Sequence, residues 1–301
     1  MNRKYLGIVC AAASAVIYGV TPTLVRMAYD QALSTATVML LRSLISLPIT
    51  AVLFFLTRAP GETLLPERRD WGKLLPGYTA MALTTLLLCI SYNYIPVGMV
   101  TTLHFVYPIL VNLGCVWVFR EKLSPGKLLS LMLASAGIIL FLEAGSAANR
   151  LGIVLALLSG ACYGFYMIYL SWSGMDRRNP FGHTFTVNIF AALMGIVMGG
   201  LGGGLTFQIP ARALGCVGLV AVTDSILGVV LLQLGIRFAG ASAASVLSTL
   251  EPITSVLMGY LVLREKMTDR KLLGCVCIVV SVLVIARSEL AAAGKGTRTA
   301  P

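Results

Sequence analysis

Ten long apolar runs alternate with short polar or turn-forming clusters along this chain. A helix needs roughly 20 apolar residues to cross the hydrocarbon core of a bilayer, and most of the runs have about this length. The pattern therefore predicts an all-α polytopic membrane protein with ten transmembrane helices. The predicted spans are 5–27, 33–57, 74–95, 97–119, 127–143, 151–173, 181–204, 211–237, 240–263 and 271–287.

The composition agrees with this pattern. Of the 301 residues, 57% are hydrophobic and only 12% are charged, and the mean hydropathy is +0.88. The charged share is about half of that usual in soluble domains, which excludes a soluble enzyme, a disordered chain and a disulfide scaffold. The seven cysteines all lie inside apolar runs, so they are expected to pack in the bundle and to form neither disulfides nor a metal site.

The positive charges are unequally distributed between alternate loops. The N-terminus and the loops on its side carry 15 Lys and Arg residues, and the opposite side carries seven. Cytoplasmic loops are enriched in these residues, so both termini are predicted to be cytoplasmic in the cell (inner or plasma) membrane. The net charge of +11 has the same origin and predicts no nucleic-acid partner. The loop before the tenth span departs from the rule.

The chain contains an internal repeat. Residues 6–19 match 151–164 at eight of fourteen positions, and 103–142 match 247–286 at eleven of forty positions. We predict a first five-helix repeat over 1–146, a second over 147–287, and a disordered cytoplasmic tail over 288–301. Because five is odd, the second repeat must enter the membrane inverted, as in many secondary transporters. The alternative is a duplication that only builds a rigid bundle.

The repeat carries motifs that resemble a known family. Leu250-Glu251-Pro252-Ile253 lies in the ninth span, and an Arg-Glu-Lys turn follows both the fourth and the ninth spans at 120–122 and 264–266. With the five-plus-five organisation, this resembles the drug/metabolite transporter superfamily, in its ten-helix EamA branch, over about residues 6–287. The resemblance implies a central substrate cavity between inverted halves, peripheral fifth and tenth spans, and transport of small metabolites, amino acids among them.

Two prolines interrupt the fourth and ninth spans near their midpoints, at Pro108 and Pro252. A proline inside a helix frees the carbonyl four residues before it, here those of His104 and Ser248. Each half is therefore expected to have a kink at the membrane midplane, and the inverted repeat should make the two kinks face each other.

The side chains at these kinks form the main candidate site. His104, Tyr107, Ser248 and Glu251 are predicted to bind substrate. Glu251 could bind a substrate ammonium group or carry a coupling proton. The alternatives are that the Pro-Ile segments serve packing only, and that Glu251 is a structural charge paired with a cation such as Arg42.

Four further polar side chains in the spans are candidates for the same site. A charge at the bilayer centre costs roughly 2.5–3.5 kcal/mol, so Arg42 either binds an anionic substrate group or is neutralised by a salt bridge or by the nearer interface. Asp224, for which the resemblance to the family supplies no charged counterpart, either faces the cavity or is solvated near a helix end. The repeated tyrosines, Tyr18 and Tyr163, either line the cavity or pack. His183 is expected at the membrane interface.

The remaining motifs constrain the mechanism. The sequence has no phosphate-binding loop, no H-E-x-x-H motif and no nucleophile elbow, so we expect no ATP, metal, cofactor or catalytic residue. We predict a secondary transporter that exports a small polar metabolite, such as an amino acid, by alternating access. Efflux of lipophilic cations is the alternative, although the first and sixth spans lack acidic residues. A membrane-embedded enzyme that uses His104 and Glu251 is a remote alternative. Monomer and homodimer both remain open.

Overall fold

The computed structural model describes residues 3–95, 97–121, 124–140, 149–200, 204–262 and 268–296. Within these ranges the chain is helical and contains no β-strand. The α-helices are α1 (Arg3–Tyr29), α2 (Thr35–Thr57), α3 (Trp71–Ser91), α4 (Val97–His104), α5 (Tyr107–Phe119), α6 (Pro125–Leu140), α7 (Arg150–Trp172), α8 (Pro180–Met198), α9 (Ala211–Val222), α10 (Val229–Ala239), α11 (Ala241–Leu247), α12 (Leu250–Val262) and α13 (Asp269–Gly296). A 3-10 turn (Met175–Arg177) precedes α8, and a π-helical segment (Thr223–Gly228) joins α9 to α10.

The helices account for all ten predicted spans. Eight helical segments of the described chain are long and apolar enough to cross a membrane. Two shorter apolar helices, Pro125–Leu140 and Leu272–Ser288, coincide with the predicted fifth and tenth spans. The all-α polytopic fold is therefore confirmed.

Three of the spans are interrupted. The fourth span breaks between α4 and α5, and the ninth breaks between α11 and α12, close to the two prolines. The carbonyl of Ser248, expected to be free, accepts the backbone N–H of Glu251 at 3.0 Å. The third interruption is the π-helical segment in the eighth span, where no proline signals it. A π turn inserts an extra residue into a helix and often marks a functional site.

The packing connects the two halves of the chain. α1 packs against α9, α10 and α12 of the second half, and α7 packs against α3, α4 and α5 of the first. α2 pairs with α8, and α6 pairs with α13. The first and sixth spans therefore form the centre of the bundle, while α6 and α13 contribute no residue to the cavity described below.

The surface and the C-terminal segment complete the fold. Large apolar side chains such as Trp117 and Ile139, which are 88% and 63% exposed, are suited to contact with lipid. The last helix continues to Gly296, inside the segment for which we predicted disorder. Alanine-rich sequence, as at 291–293, has the highest helix propensity, which explains this continuation. Residues 297–301 and the Arg-Glu-Lys turn at 264–266 lie outside the described residues.

Candidate substrate-binding site

A cavity of about 120 Å³ lies between the two halves of the bundle, which is room for several water molecules or a small polar solute. Six of the eight predicted site residues line it. The polar and aromatic lining comprises Tyr18, Thr21, Arg42, Thr84, Thr85, Tyr92 and His104 from the first half, and Tyr163, Asn188, Asp224, Ser225 and Glu251 from the second. Both halves therefore contribute to one site.

Arg42 and Asp224 form an ion pair in this cavity. Arg42 Nη1 lies 2.9 Å from Asp224 Oδ2, and the hydroxyl of Thr21 donates to Asp224 Oδ1 at 3.0 Å. The two charged side chains are only 12% and 15% exposed. Of the alternatives considered for Arg42, the structure shows the salt bridge, and its partner is Asp224 and not Glu251. The pairing residues belong to different spans, so their meeting depends on tertiary packing.

Glu251 has a different environment. Its half-buried side chain lines the cavity but makes no ion pair and no side-chain hydrogen bond with another residue of the described ranges. α1 approaches α12 closely here, since a Cβ on Gly19 would lie 2.5 Å from the Glu251 carbonyl oxygen. Glu251 is therefore a carboxylate available to a ligand, close to a tightly packed helix crossing.

His104 is oriented by a serine that the sequence analysis missed. Its Nδ1 lies 2.9 Å from Ser159 Oγ, and the same hydroxyl donates to the carbonyl of Ala156 at 2.7 Å. Because a hydroxyl has one hydrogen, which Ser159 gives to Ala156, Nδ1 must be the donor to Ser159, and Nε2 is left for other partners. The repetition of serine at positions 14 and 159 was the signal that could have found it; Ser14 donates to the Gly228 carbonyl at 2.8 Å.

Tyr107 and Ser248 do not line the cavity. Tyr107 is fully buried and packs against the rings of His104 and Tyr163, with centroid distances of 5.3 and 4.8 Å. Ser248 is 2% exposed and donates to the Ala244 carbonyl of its own helix at 2.9 Å. A serine in a helix commonly satisfies its hydroxyl in this way, which withdraws it from ligands. These two residues therefore lie outside the cavity, and Tyr107 packs against two residues that line it.

The tyrosines Tyr18 and Tyr163 both line the cavity, one from each repeat. A Cβ on Gly228 would lie 2.5 Å from the Tyr18 ring, so glycine at the end of the π-helical segment makes room for that ring. Asn188, which the sequence analysis did not select, donates to the Ser225 carbonyl at 3.0 Å and so connects α8 to the same segment. The π-helical segment is thus held from several sides around Asp224.

His183, near the start of α8, is enclosed by the protein at the depth where we predicted it to be interfacial, and that depth stays a prediction. It is fully buried, and its Nε2 lies 3.0 Å from the Tyr166 hydroxyl. The rings of Tyr78 from α3 and Tyr166 from α7 lie against it, with centroid distances of 5.4 and 6.3 Å, which explains its burial. Within the described ranges, no group of three or more His, Cys, Asp or Glu residues could hold a metal ion.

Comparison with known proteins agrees with this architecture. The EamA-like transporter family model matches residues 5–143 and again 150–287. The chain belongs to the EamA-like transporter family. The two EamA matches coincide with the two halves that form the cavity.

Individual relatives of this EamA protein are similarly described. It is 26% identical over 285 residues to the uncharacterized transporter YcbK of Bacillus subtilis (strain 168), covering 90% of this chain and 87% of that one. It is 27% identical over 206 residues to the uncharacterized transporter sll1319 of Synechocystis sp., covering 66% and 61% of the two chains. A solved crystal structure superposes with a TM-score of 0.81 at 13% identity over 94% of this chain and 97% of that one, which shows the fold.

Proposed function

We propose that this EamA transporter exports a small polar metabolite, an amino acid or a related compound, by alternating access in the cell membrane. The observation that carries the proposal is the cavity between the repeats, where an available carboxylate and a cation face the same space. Glu251 makes no ion pair within the described ranges, while Arg42 is held by Asp224 through one of its nitrogens. The site therefore suits a ligand with an ammonium and a carboxylate group.

Each ligand group has a complementary partner in this proposal. The Glu251 carboxylate accepts hydrogen bonds from the ammonium group. A guanidinium has five N–H donors, so Arg42 can hold a substrate carboxylate together with Asp224. The Tyr18 and Tyr163 rings provide apolar walls for the remainder of the ligand.

We infer that an ion gradient drives transport, because the sequence has no phosphate-binding loop for ATP. Glu251 can hold either a proton or the substrate ammonium group, but not both. This competition would couple export of the substrate to entry of a proton. In this proposal the lipid bilayer and the substrate are the only required partners, both termini are cytoplasmic, and the chain is not an enzyme.

Efflux of lipophilic cations is the second candidate, and the availability of Glu251 favours it. A lipophilic cation would use Glu251 but would leave Arg42 without a role in binding. Competition between the two ligand classes can therefore distinguish the candidates.

The test is a transport assay on purified protein in proteoliposomes with an imposed pH gradient. The panel should contain labelled amino acids, related zwitterions, simple amines and lipophilic cations, with protein-free liposomes as the control. We expect gradient-dependent movement of a zwitterion. Transport of lipophilic cations alone would replace the proposed substrate class, and chemical conversion of a panel compound would instead indicate an enzyme.

A further inference from the structure

The cavity extends from the middle of the bundle, where Tyr163, Asp224 and Glu251 line it, towards one end. It is lined by α1 from Tyr18 to Val25, by α3 from Met81 onwards, and by Arg42 in the first part of α2. α1 and α3 end, and α2 begins, at the same end of an alternating bundle. We call this the cavity end, and we call the opposite end, where α3 begins, the turn end.

At the turn end, the 3-10 turn Met175–Arg177 is inserted between the helices. Gln233, which is fully buried in α10, donates through its amide nitrogen towards three carbonyls of this segment. The distances are 3.1 Å to Met175 O, 3.3 Å to Asp176 O and 3.0 Å to Arg178 O. An amide group has only two N–H hydrogens, so these three acceptors share them. Gln233 therefore holds the turn inside the bundle.

The turn also closes the junction between the two repeats. The fully buried Met175 lies against Gly77 of α3, where an added Cβ would be only 2.7 Å from the Met175 sulfur. Beside it, the Tyr169 hydroxyl donates to the Lys73 carbonyl at 2.7 Å. The contacts thus connect α7 and the turn, from the second repeat, to α3 of the first.

Several buried polar atoms at this end have no hydrogen-bond partner in the described part of the chain. They include the Tyr78 hydroxyl, His183 Nδ1 and Gln233 Oε1. The Tyr78 and His183 rings are in contact, with centroids 5.4 Å apart. All three side chains are fully buried, so polar groups fill the interior beside the turn.

We propose that the Met175–Arg177 turn is the gate of the transporter at the turn end. The hydrogen bonds from Gln233 hold the gate closed, and Gly77 leaves the space that the Met175 side chain fills. The gate rests on the proposed alternating-access function, in which the cavity must open to the turn end in the other half of the cycle. By the charge count, the turn end faces the cytoplasm.

A cysteine introduced by Val187→Cys provides a reporter, because Val187 lines the cavity from α8, which begins at the turn end. Its reaction with a membrane-impermeant maleimide is measured in vesicles of both orientations, and the signal of the protein without this cysteine is subtracted. Without a change at the gate we expect reaction mainly from the cavity end. The valine side chain of Gly77→Val should displace Met175 and raise the labelling rate from the turn end by about tenfold. Gly72→Val is the matched control on α3, since a Cβ at Gly72 meets nothing within 4 Å.

Two further variants keep the test decisive if Gly77→Val folds poorly. Gln233→Leu removes the hydrogen bonds that hold the turn and should raise labelling from the turn end. Gln208→Leu, at an exposed position, should not change the labelling. Adding Met175→Ala to Gly77→Val should restore closure by removing the clashing side chain. Folded Gly77→Val and Gln233→Leu proteins that label like the wild type from the turn end would overturn the gate. Labelling requires no substrate, so a failed transport assay rejects the proposed function separately.

Discussion

Arg42 and Asp224 pair across the second and eighth spans, with 2.9 Å between Nη1 and Oδ2. This relationship determines how the cavity can bind a charged ligand. Because Asp224 neutralises Arg42, the neighbouring carboxylate of Glu251 is not required to do so. Neutralising Glu251 should therefore change transport, whereas neutralising Asp224 should change the stability of the fold.

We expect Glu251→Gln to lower transport by at least about tenfold, equivalent to about 1.4 kcal/mol, while leaving the melting temperature near that of the wild type. Glutamine keeps the shape but cannot ionise, and no cation of the described ranges loses an ion pair with it. Glu67→Gln, which alters an exposed pair with Arg69, is the control. Wild-type transport by a stable Glu251→Gln protein would remove Glu251 from the site.

Asp224→Asn should instead destabilise the fold. It leaves the Arg42 guanidinium, 12% exposed, without its carboxylate, and breaking a buried pair costs up to about 3–5 kcal/mol. Thermal unfolding in detergent measures this loss. An Arg42→Gln/Asp224→Asn double variant should recover part of the lost stability, since neither charge remains. With Arg42→Gln as the second single variant, stability losses that simply add in the double variant would show that the pair does not couple.

Two glycines of α7 provide a matched packing test. A Cβ at Gly160 would clash with the backbone carbonyl oxygen of His104, and rotation of a side chain cannot relieve this clash. At Gly164 the nearest atoms are at 3.5 Å, an ordinary contact. Gly160→Ala should therefore lower the melting temperature and the yield of folded protein, whereas Gly164→Ala should preserve both. The close crossing of α7 and α4 would be refuted if both variants behaved alike.

The buried carboxyl group of Asp176, at the turn end, should make the stability of the protein depend on pH. Burial raises the pKa of its carboxyl group, and the nearby positive charge of Arg177 only partly opposes this shift. The folded state then binds the proton more tightly than the unfolded state. Its contribution to stability falls as the pH rises from the ordinary aspartate pKa through the raised value.

Asp176→Asn should remove that fall, so the variant should gain melting temperature over the wild type towards neutral pH and lose this advantage in acid. Asp30→Asn, which removes an exposed carboxylate paired with Arg26, is the control for the loss of a surface charge. Parallel melting curves of the wild type and Asp176→Asn across the acid range would contradict the assignment.

The inverted repeat predicts the sidedness of two equivalent loops. Ser124 and Thr268 occupy matching positions 144 residues apart, before α6 and α13. Single cysteines at these positions should react with an impermeant thiol reagent from opposite sides, with Ser124→Cys accessible from the cytoplasm. Reaction of both from the same side would refute the inverted topology and the predicted orientation.

The sequence alone predicted the ten spans and the breaks in two of them. Both signals are local, because the length of an apolar run and a proline within it act on the helix that contains them. It also selected Tyr18, Tyr163, His104 and Glu251, since polar or repeated residues stand out against an apolar background.

Only the tertiary structure decided which polar groups meet. The Arg42–Asp224 pair, the His104–Ser159 hydrogen bond and the Gln233 contacts each join residues more than 50 positions apart. Their geometry depends on how each helix is rotated about its axis and where the π-helical segment adds a residue. In this chain apolar residues cover most of every span, so the sequence pattern only weakly specifies which face is turned inward. Packing across the two repeats fixes that rotation, and thereby places Glu251 in the cavity and Ser248 behind it.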